Sequence, residues 1–175
     1  MVDTAPDADS TTDVDTDADS VTEVRRAVST DSAALRRLQR VLDEPAPELL
    51  DAALTGVVGD LFVAVAADGE PVGYLLVVES PPSALDPPLG PDGGSSAHIA
   101  ELVVAPSARR NGHASALLAT LLSLKPVATL TLTVAASNDA AQALYDRFGF
   151  EEVRRLPGFF EGEPGLLLAR RPGAE

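Results

Sequence analysis

The chain has 175 residues, 45% apolar and only 4% aromatic, enough for one domain with a sizeable core. Against 13 basic residues stand 27 acidic ones, and a surface of net charge −14 disfavours general nucleic-acid binding. There is no cysteine, which excludes disulfides, thiolate metal sites and cysteine nucleophiles, and no apolar run reaches the ~18 residues of a membrane span.

Residues 1–20, MVDTAPDADSTTDVDTDADS, hold seven Asp and almost nothing that could pack. They read as a disordered acidic tail, either a solvated extension or an interaction segment. No basic n-region followed by an apolar h-region is seen, so no signal peptide is expected, and a cytoplasmic setting is. The acidic side counts 16 Asp, and the basic side is 12 Arg with a single lysine, Lys125. This balance points to a protein working in concentrated salt, where a Debye length of ~3 Å screens like charges from one another.

A folded domain is expected over residues 21–175. Residues 21–28 read as a first strand. Asp31 offers an N-cap, and Leu35, Leu38, Val41 and Leu42 then recur at helical spacing. A second short helix is predicted from Pro47 to Leu54. Two apolar runs flank the turn Asp68-Gly69-Glu70-Pro71, the clearest hairpin in the chain. Residues 80–96 form a long Pro/Gly-rich loop, of a length that serves either to cover a site or merely to flex. A strand over residues 97–105 leads into a polar loop, and a helix from Gly112 to Leu124 carries Ala114, Leu117, Leu118 and Leu121 on its core face. Residues from Ala128 alternate with period two, as a half-buried strand should. A last helix runs from Asn138 to about Phe148 and stops at Gly149. Residues 151–156 and 165–170 close the chain as strands. The order strand, helix, helix, three strands, helix, strand, helix, two strands implies an α/β (α+β) mixed sheet with helices packed on it.

The polar loop before the second-last helix carries the chemistry. It places Arg109, Arg110 and Gly112 where the first amides of a helix have no internal partner and its dipole is positive. Two guanidinium groups add donors that match phosphate oxygens. The loop is therefore either a phosphate-binding helix start or a solvated turn whose arginines offset an acidic surface. Neither GxxxxGK[ST] nor GxGxxG is present, so nucleotide P-loop and Rossmann readings are unsupported.

The stretch from Val104 to Leu118 resembles the V-x-P-x-x-R-x-x-G-x-A acetyl-CoA signature of the GNAT N-acetyltransferase superfamily, with Arg109, Gly112 and Ala114 as its core. Residues 138–150 resemble that family's second signature, N-x-x-A-x-x-L-Y-x-x-x-G-F, with Asn138 and Tyr145. The resemblance implies a mixed, mostly antiparallel sheet of six to seven strands with about four helices on both faces. It implies acetyl-CoA as cosubstrate, no metal, and direct attack of an amine on the thioester. The coenzyme's pyrophosphate would lie on the loop of Arg109, Arg110, Asn111, Gly112, His113 and Ala114, with Ser115 close by. Its pantetheine arm would pair with Leu102, Val103 and Val104. Asn138 would touch the coenzyme, and Tyr145 would protonate the departing thiolate. Dimers occur in the family, so a homodimer is possible.

Local readings compete with these roles. Asn138 is a good N-cap, and Tyr145 shares a stripe with Ala141, Leu144 and Phe148 that could be core. Glu101 is the candidate base, directly or through water, with His98 a weaker rival; His113 is expected to present only its amide. Within the superfamily the nearest likeness is to ribosomal-protein and peptide N-terminal acetyltransferases, through residues 132–145 and the aromatic, acidic segment 157–163. The chain departs from them twice: Thr133 stands where several have a glutamate base, and Phe159 and Phe160 where tyrosines are common. The acceptor is thus a protein N-terminus or a small-molecule amine, and Glu161 and Glu163 would suit a cationic one. Alternatives to an enzyme are a CoA-binding regulatory module without turnover, or an interaction protein whose loop is structural. No membrane partner is expected.

Overall fold

A computed structural model describes residues 22–79, 96–126 and 128–173. The acidic tail and the Pro/Gly-rich loop lie outside the described residues, apart from Ser96. In chain order the elements are β1 (Glu23–Arg26), α1 (Ser32–Gln39), α2 (Pro47–Leu54), β2 (Asp60–Val65), β3 (Pro71–Glu79), β4 (Ser96–Val104), α3 (His113–Leu124), β5 (Thr129–Ala135), α4 (Asp139–Arg147), β6 (Glu151–Phe160) and β7 (Glu163–Arg170). This is the order read from the sequence. Among the described residues no helix is long and apolar enough to cross a membrane.

The strands form one seven-stranded sheet in the order β1-β2-β3-β4-β5-β7-β6. Every neighbouring pair is antiparallel except β4 and β5, which run parallel. That exception follows from connectivity: β2–β3 and β6–β7 are joined by short turns, whereas β4 and β5 are joined through α3, and a helical crossover returns the chain in the same direction.

Each face of the sheet has its own core. On one face Leu117, Leu118 and Leu121 of α3 are fully buried with Leu75, Val77, Ile99, Leu130, Leu132 and Leu168. On the other, Leu35 and Leu38 of α1 and Leu50 and Ala53 of α2 cover Leu61, Val63, Tyr74, Leu76 and Val103. Each fully buried leucine contributes ~1.5–3 kcal/mol of hydrophobic stabilisation.

Two local expectations change. Asp31 precedes α1, but its side chain makes no capping bond to that helix. Its carboxylate instead accepts the Val28 amide at 2.8 Å and both terminal nitrogens of Arg25 at 2.7 and 2.9 Å. The Arg25 guanidinium accordingly holds the Asp31 carboxyl below the usual carboxylate range. The strand expected over 151–156 continues to Phe160, because β6 is the sheet's edge, where Pro157 loses no ladder bond and an irregular register absorbs Gly158.

Candidate active site

The parallel pair at the centre of the sheet is incomplete. β4 and β5 pair only through Ser96–Ile99 with Thr129–Leu132. Beyond Ile99 the strands separate, while β4 stays paired with β3 as far as Val104. The β5-facing edge of residues 100–104 is thus an open strand edge inside a sheet, and such an edge accepts an extended chain through its peptide groups. Leu102, Val103 and Val104 lie on it.

A bulge sits where the strands part. Leu76 pairs with Glu101 and Val77 with Ile99, so Ala100 is an extra residue in β4. One extra residue reverses the alternation beyond it. Ile99 and Leu102 therefore both join the α3 side, and Glu101 and Val103 turn to α1 and α2.

At the mouth of the split, α3 begins. Arg109 is extended, Arg110 adopts a left-handed φ of 66°, and Gly112, the N-cap, has φ 82°. A Cβ at Gly112 would meet no atom within 4 Å, so glycine serves the backbone conformation here, not a lack of room. The first backbone bond within α3 runs from the Ala116 amide to the Gly112 carbonyl, at 2.9 Å, and no side chain caps the helix. The amides of His113, Ala114 and Ser115 therefore have no partner within the helix. Arg109, Arg110 and Asn111 are exposed around them; the Arg109 Nε donates to the Val104 carbonyl at 3.3 Å, joining the loop to the open edge. The His113 ring turns away to Thr22, its Nδ1 3.1 Å from the hydroxyl, leaving its amide to the loop.

Tyr145 comes up from α4. Its ring is only 8% exposed and packs edge-on against Phe150, with centroids 5.7 Å apart. Its hydroxyl has no hydrogen bond among the described residues, yet no buried side-chain oxygen there lacks a partner, so the hydroxyl reaches solvent. Burial pushes this phenol up to about 12. It stays protonated throughout the neutral range, able to donate its proton. Asn138 caps α4, its Oδ1 accepting the Ala141 amide at 3.1 Å. Its local role is thus filled within the chain. Gln142, which the sequence did not mark, donates to the Ala135 and Ala136 carbonyls at 3.3 and 3.0 Å and fixes α4 to the end of β5.

Glu101, the candidate base, is enclosed within the chain. This carboxylate is 6% exposed and accepts from three residues: Gln39 Nε2 at 3.0 and 3.1 Å, the Ala46 amide at 2.9 Å and the Tyr74 hydroxyl at 2.8 Å. Burial, and then the Glu101 charge, push the Tyr74 phenol far above its ordinary value. A carboxylate so enclosed is poorly placed to meet an incoming ammonium. Tyr74 and Gln39 were missed in the sequence, although a tyrosine within an apolar strand always needs a partner for its hydroxyl. His98 lies below the split, its Nδ1 2.9 Å from the Thr131 hydroxyl. The two departures noted at Thr133 and Phe159 prove to be one place: a Cβ on Gly165 would stand 3.0 Å from both the Thr133 methyl and the Phe159 Cβ. The Phe159 ring stacks edge-on with Phe160 at 5.0 Å and is 49% exposed.

A parallel pair that splits beside a helix start whose first amides have no internal partner is a geometry suited to an extended, phosphate-bearing cofactor. The acetyltransferase (GNAT) family model matches residues 30–150, and the chain belongs to that family. It is an acetyl-CoA-dependent N-acetyltransferase, with acetyl-CoA as cosubstrate. It is 27% identical over 154 residues to an uncharacterized N-acetyltransferase of Methanocaldococcus jannaschii, covering 85% of this chain and 90% of that protein. Among solved structures it resembles Arabidopsis thaliana NAA60 in complex with a bisubstrate analogue, with a TM-score of 0.75 and 26% identity over 87% of this chain and 99% of that one. The ribosomal-protein-S18-alanine N-acetyltransferase of Escherichia coli shares the fold, with a TM-score of 0.69 and 24% identity over 86% and 94% of the two chains.

Proposed function

We propose that this N-acetyltransferase acts on the α-amine of a peptide or protein N-terminus. The observation that carries the reading is the engagement of Glu101 by three donors. With that carboxylate occupied and threonine at 133, the cleft favours an amine that is partly deprotonated without help. An α-amine, with a pKa of 7.7–8.0, is roughly one-tenth free base at pH 7, whereas less than about a thousandth of a lysine amine is. The acidic balance of the chain supports concentrated salt as the working medium.

The coenzyme's pyrophosphate would rest on the amides of Gly112–Ser115 with Arg109 and Arg110 beside them, and its pantetheine arm along residues 102–104. The free amine attacks the thioester carbonyl, and the tetrahedral intermediate collapses with loss of the thiolate. Tyr145 hydrogen-bonds the departing sulfur and supplies the proton, which the acetylated ammonium returns through cleft water. A phenol near 12 is a weaker acid than a thiol near ~8.5, so its proton passes to sulfur only as the acetylated ammonium's proton reaches the phenol oxygen in its place.

The test uses two peptides with acetyl-CoA, one with a free α-amine and no lysine, the other N-terminally blocked and carrying a lysine. Thiol release with the first alone, rising as pH passes the α-amine pKa, is expected. Tyr145→Phe should lower kcat on the order of a hundredfold. Equal turnover of the lysine peptide would overturn the acceptor assignment. Binding of acetyl-CoA without thiol release from any amine would instead favour a CoA-binding module without turnover.

A further inference from the structure

The connection between α1 and α2, residues 40–46, has an unusual anchorage. Gln39, the last residue of α1, donates its side-chain amide to both oxygens of Glu101. Ala46, which precedes the first residue of α2, donates its backbone amide to the same carboxylate. Both ends of the connection are therefore fastened to one side chain on the strand that opens the cleft. Between them, Val41 and Leu42 make backbone bonds to α1, at 3.0 Å each, and Leu42 packs against the core. Asp43, Glu44 and Pro45 are exposed. Tyr74 of β3 completes the set from below.

We propose that Glu101 is the positioning residue of the acceptor site, holding the 40–46 connection against β4 as one wall of the cleft. Its place is telling: Glu101 follows the bulged Ala100, and the parallel pairing ends at Ile99. Whatever enters between the parted strands from the α1/α2 face passes the segment that Glu101 holds. A buried carboxylate is costly unless its oxygens are satisfied, and here four donor contacts do so. An apolar residue at 101 would orphan the Ala46 amide and the Tyr74 hydroxyl together. The inference rests on the acetyl-transfer reading for its kinetic consequence but not for its structural one.

The experiment combines steady-state kinetics with amide hydrogen exchange on Glu101→Gln and Gln39→Leu. The probe is the lysine-free peptide with a free α-amine. Both variants should raise the acceptor KM about tenfold or more while the acetyl-CoA KM stays within about twofold. The acid limb of the kcat/KM profile should keep its position. Exchange at the Ala46 amide should accelerate about tenfold or more relative to amides within α3. Loss of turnover in Glu101→Gln at unchanged acceptor KM would make Glu101 a base and overturn the proposal. Unchanged Ala46 exchange in both variants would overturn it too. If no amine is acetylated by the wild-type chain, the functional reading fails, and Ala46 exchange still decides the anchorage. If Glu101→Gln does not fold, Gln39→Leu carries the same readouts.

Discussion

Tyr74 and Tyr145 are the chain's two tyrosines, and there is no tryptophan, so phenolate absorbance reports on them alone. Burial raises both, Tyr145 to about 12 and Tyr74 further with the Glu101 charge beside it. A phenol held protonated in the fold but ordinary when unfolded contributes stability fully present below pH ~10 and lost as pH rises from there through the folded value. Alkaline titration should therefore show no phenolate near pH 10 while the fold persists, and a joint rise with loss of circular dichroism at higher pH. A phenol titrating near 10 in the folded protein would mean that its hydroxyl is freely solvated. At this scale the sequence was partly legible. Arg109, Gly112 and Tyr145 were visible as residue types at given spacings. The partners of Glu101 were not, because Gln39, Ala46 and Tyr74 lie 62, 55 and 27 residues away and only the fold brings them together.

The helices show which elements a sequence announces. α2 begins at Pro47 and ends at Leu54 as read, since proline suits a first helical turn and the downstream glycine stops it. α3 starts one residue later than read, at His113, because Gly112 is the left-handed residue that precedes it. That gives a prediction at the level of the element. Gly112→Ala should cost ~1–2 kcal/mol of stability through the left-handed φ alone, as its Cβ meets nothing. Urea unfolding measures it, and a change near zero would show that the loop relaxes to another conformation. β6 was read four residues short, since Pro157 and Gly158 argue against a strand wherever its place in the sheet is unknown. An edge position and a bulge are tertiary facts. The bulge at Ala100 was equally hidden, for alanine carries no mark of it.

Across the whole molecule, element order was enough to give a mixed sheet, and the two signatures gave the family. How far β4 and β5 stay paired was not available from either, because pairing between distant strands is set by the layers on both faces. The charge was plain from the start. Lys125, the single lysine, lies between Asp60 at 3.2 Å and Glu79 at 3.1 Å, so one cation answers two carboxylates. With −14 overall, repulsion outweighs such pairs in dilute buffer. The thermal midpoint should rise between dilute buffer and molar KCl, by ~2–4 °C for each kcal/mol gained. A fall would show that screened ion pairs matter more than screened repulsion.

The extra residue at Ala100 makes β4 two half-strands in opposite phase. Up to Ile99, its apolar side chains serve the layer beneath α3; past the kink, odd-numbered positions answer to the other layer. A point substitution in this strand can only tune one layer. A one-residue deletion would act as a frameshift written in space, exchanging the neighbours of every side chain from Glu101 to Val104 while changing no other letter. The two layers of the fold are thus kept apart by a single count, and this short stretch should tolerate replacement far better than any change of length.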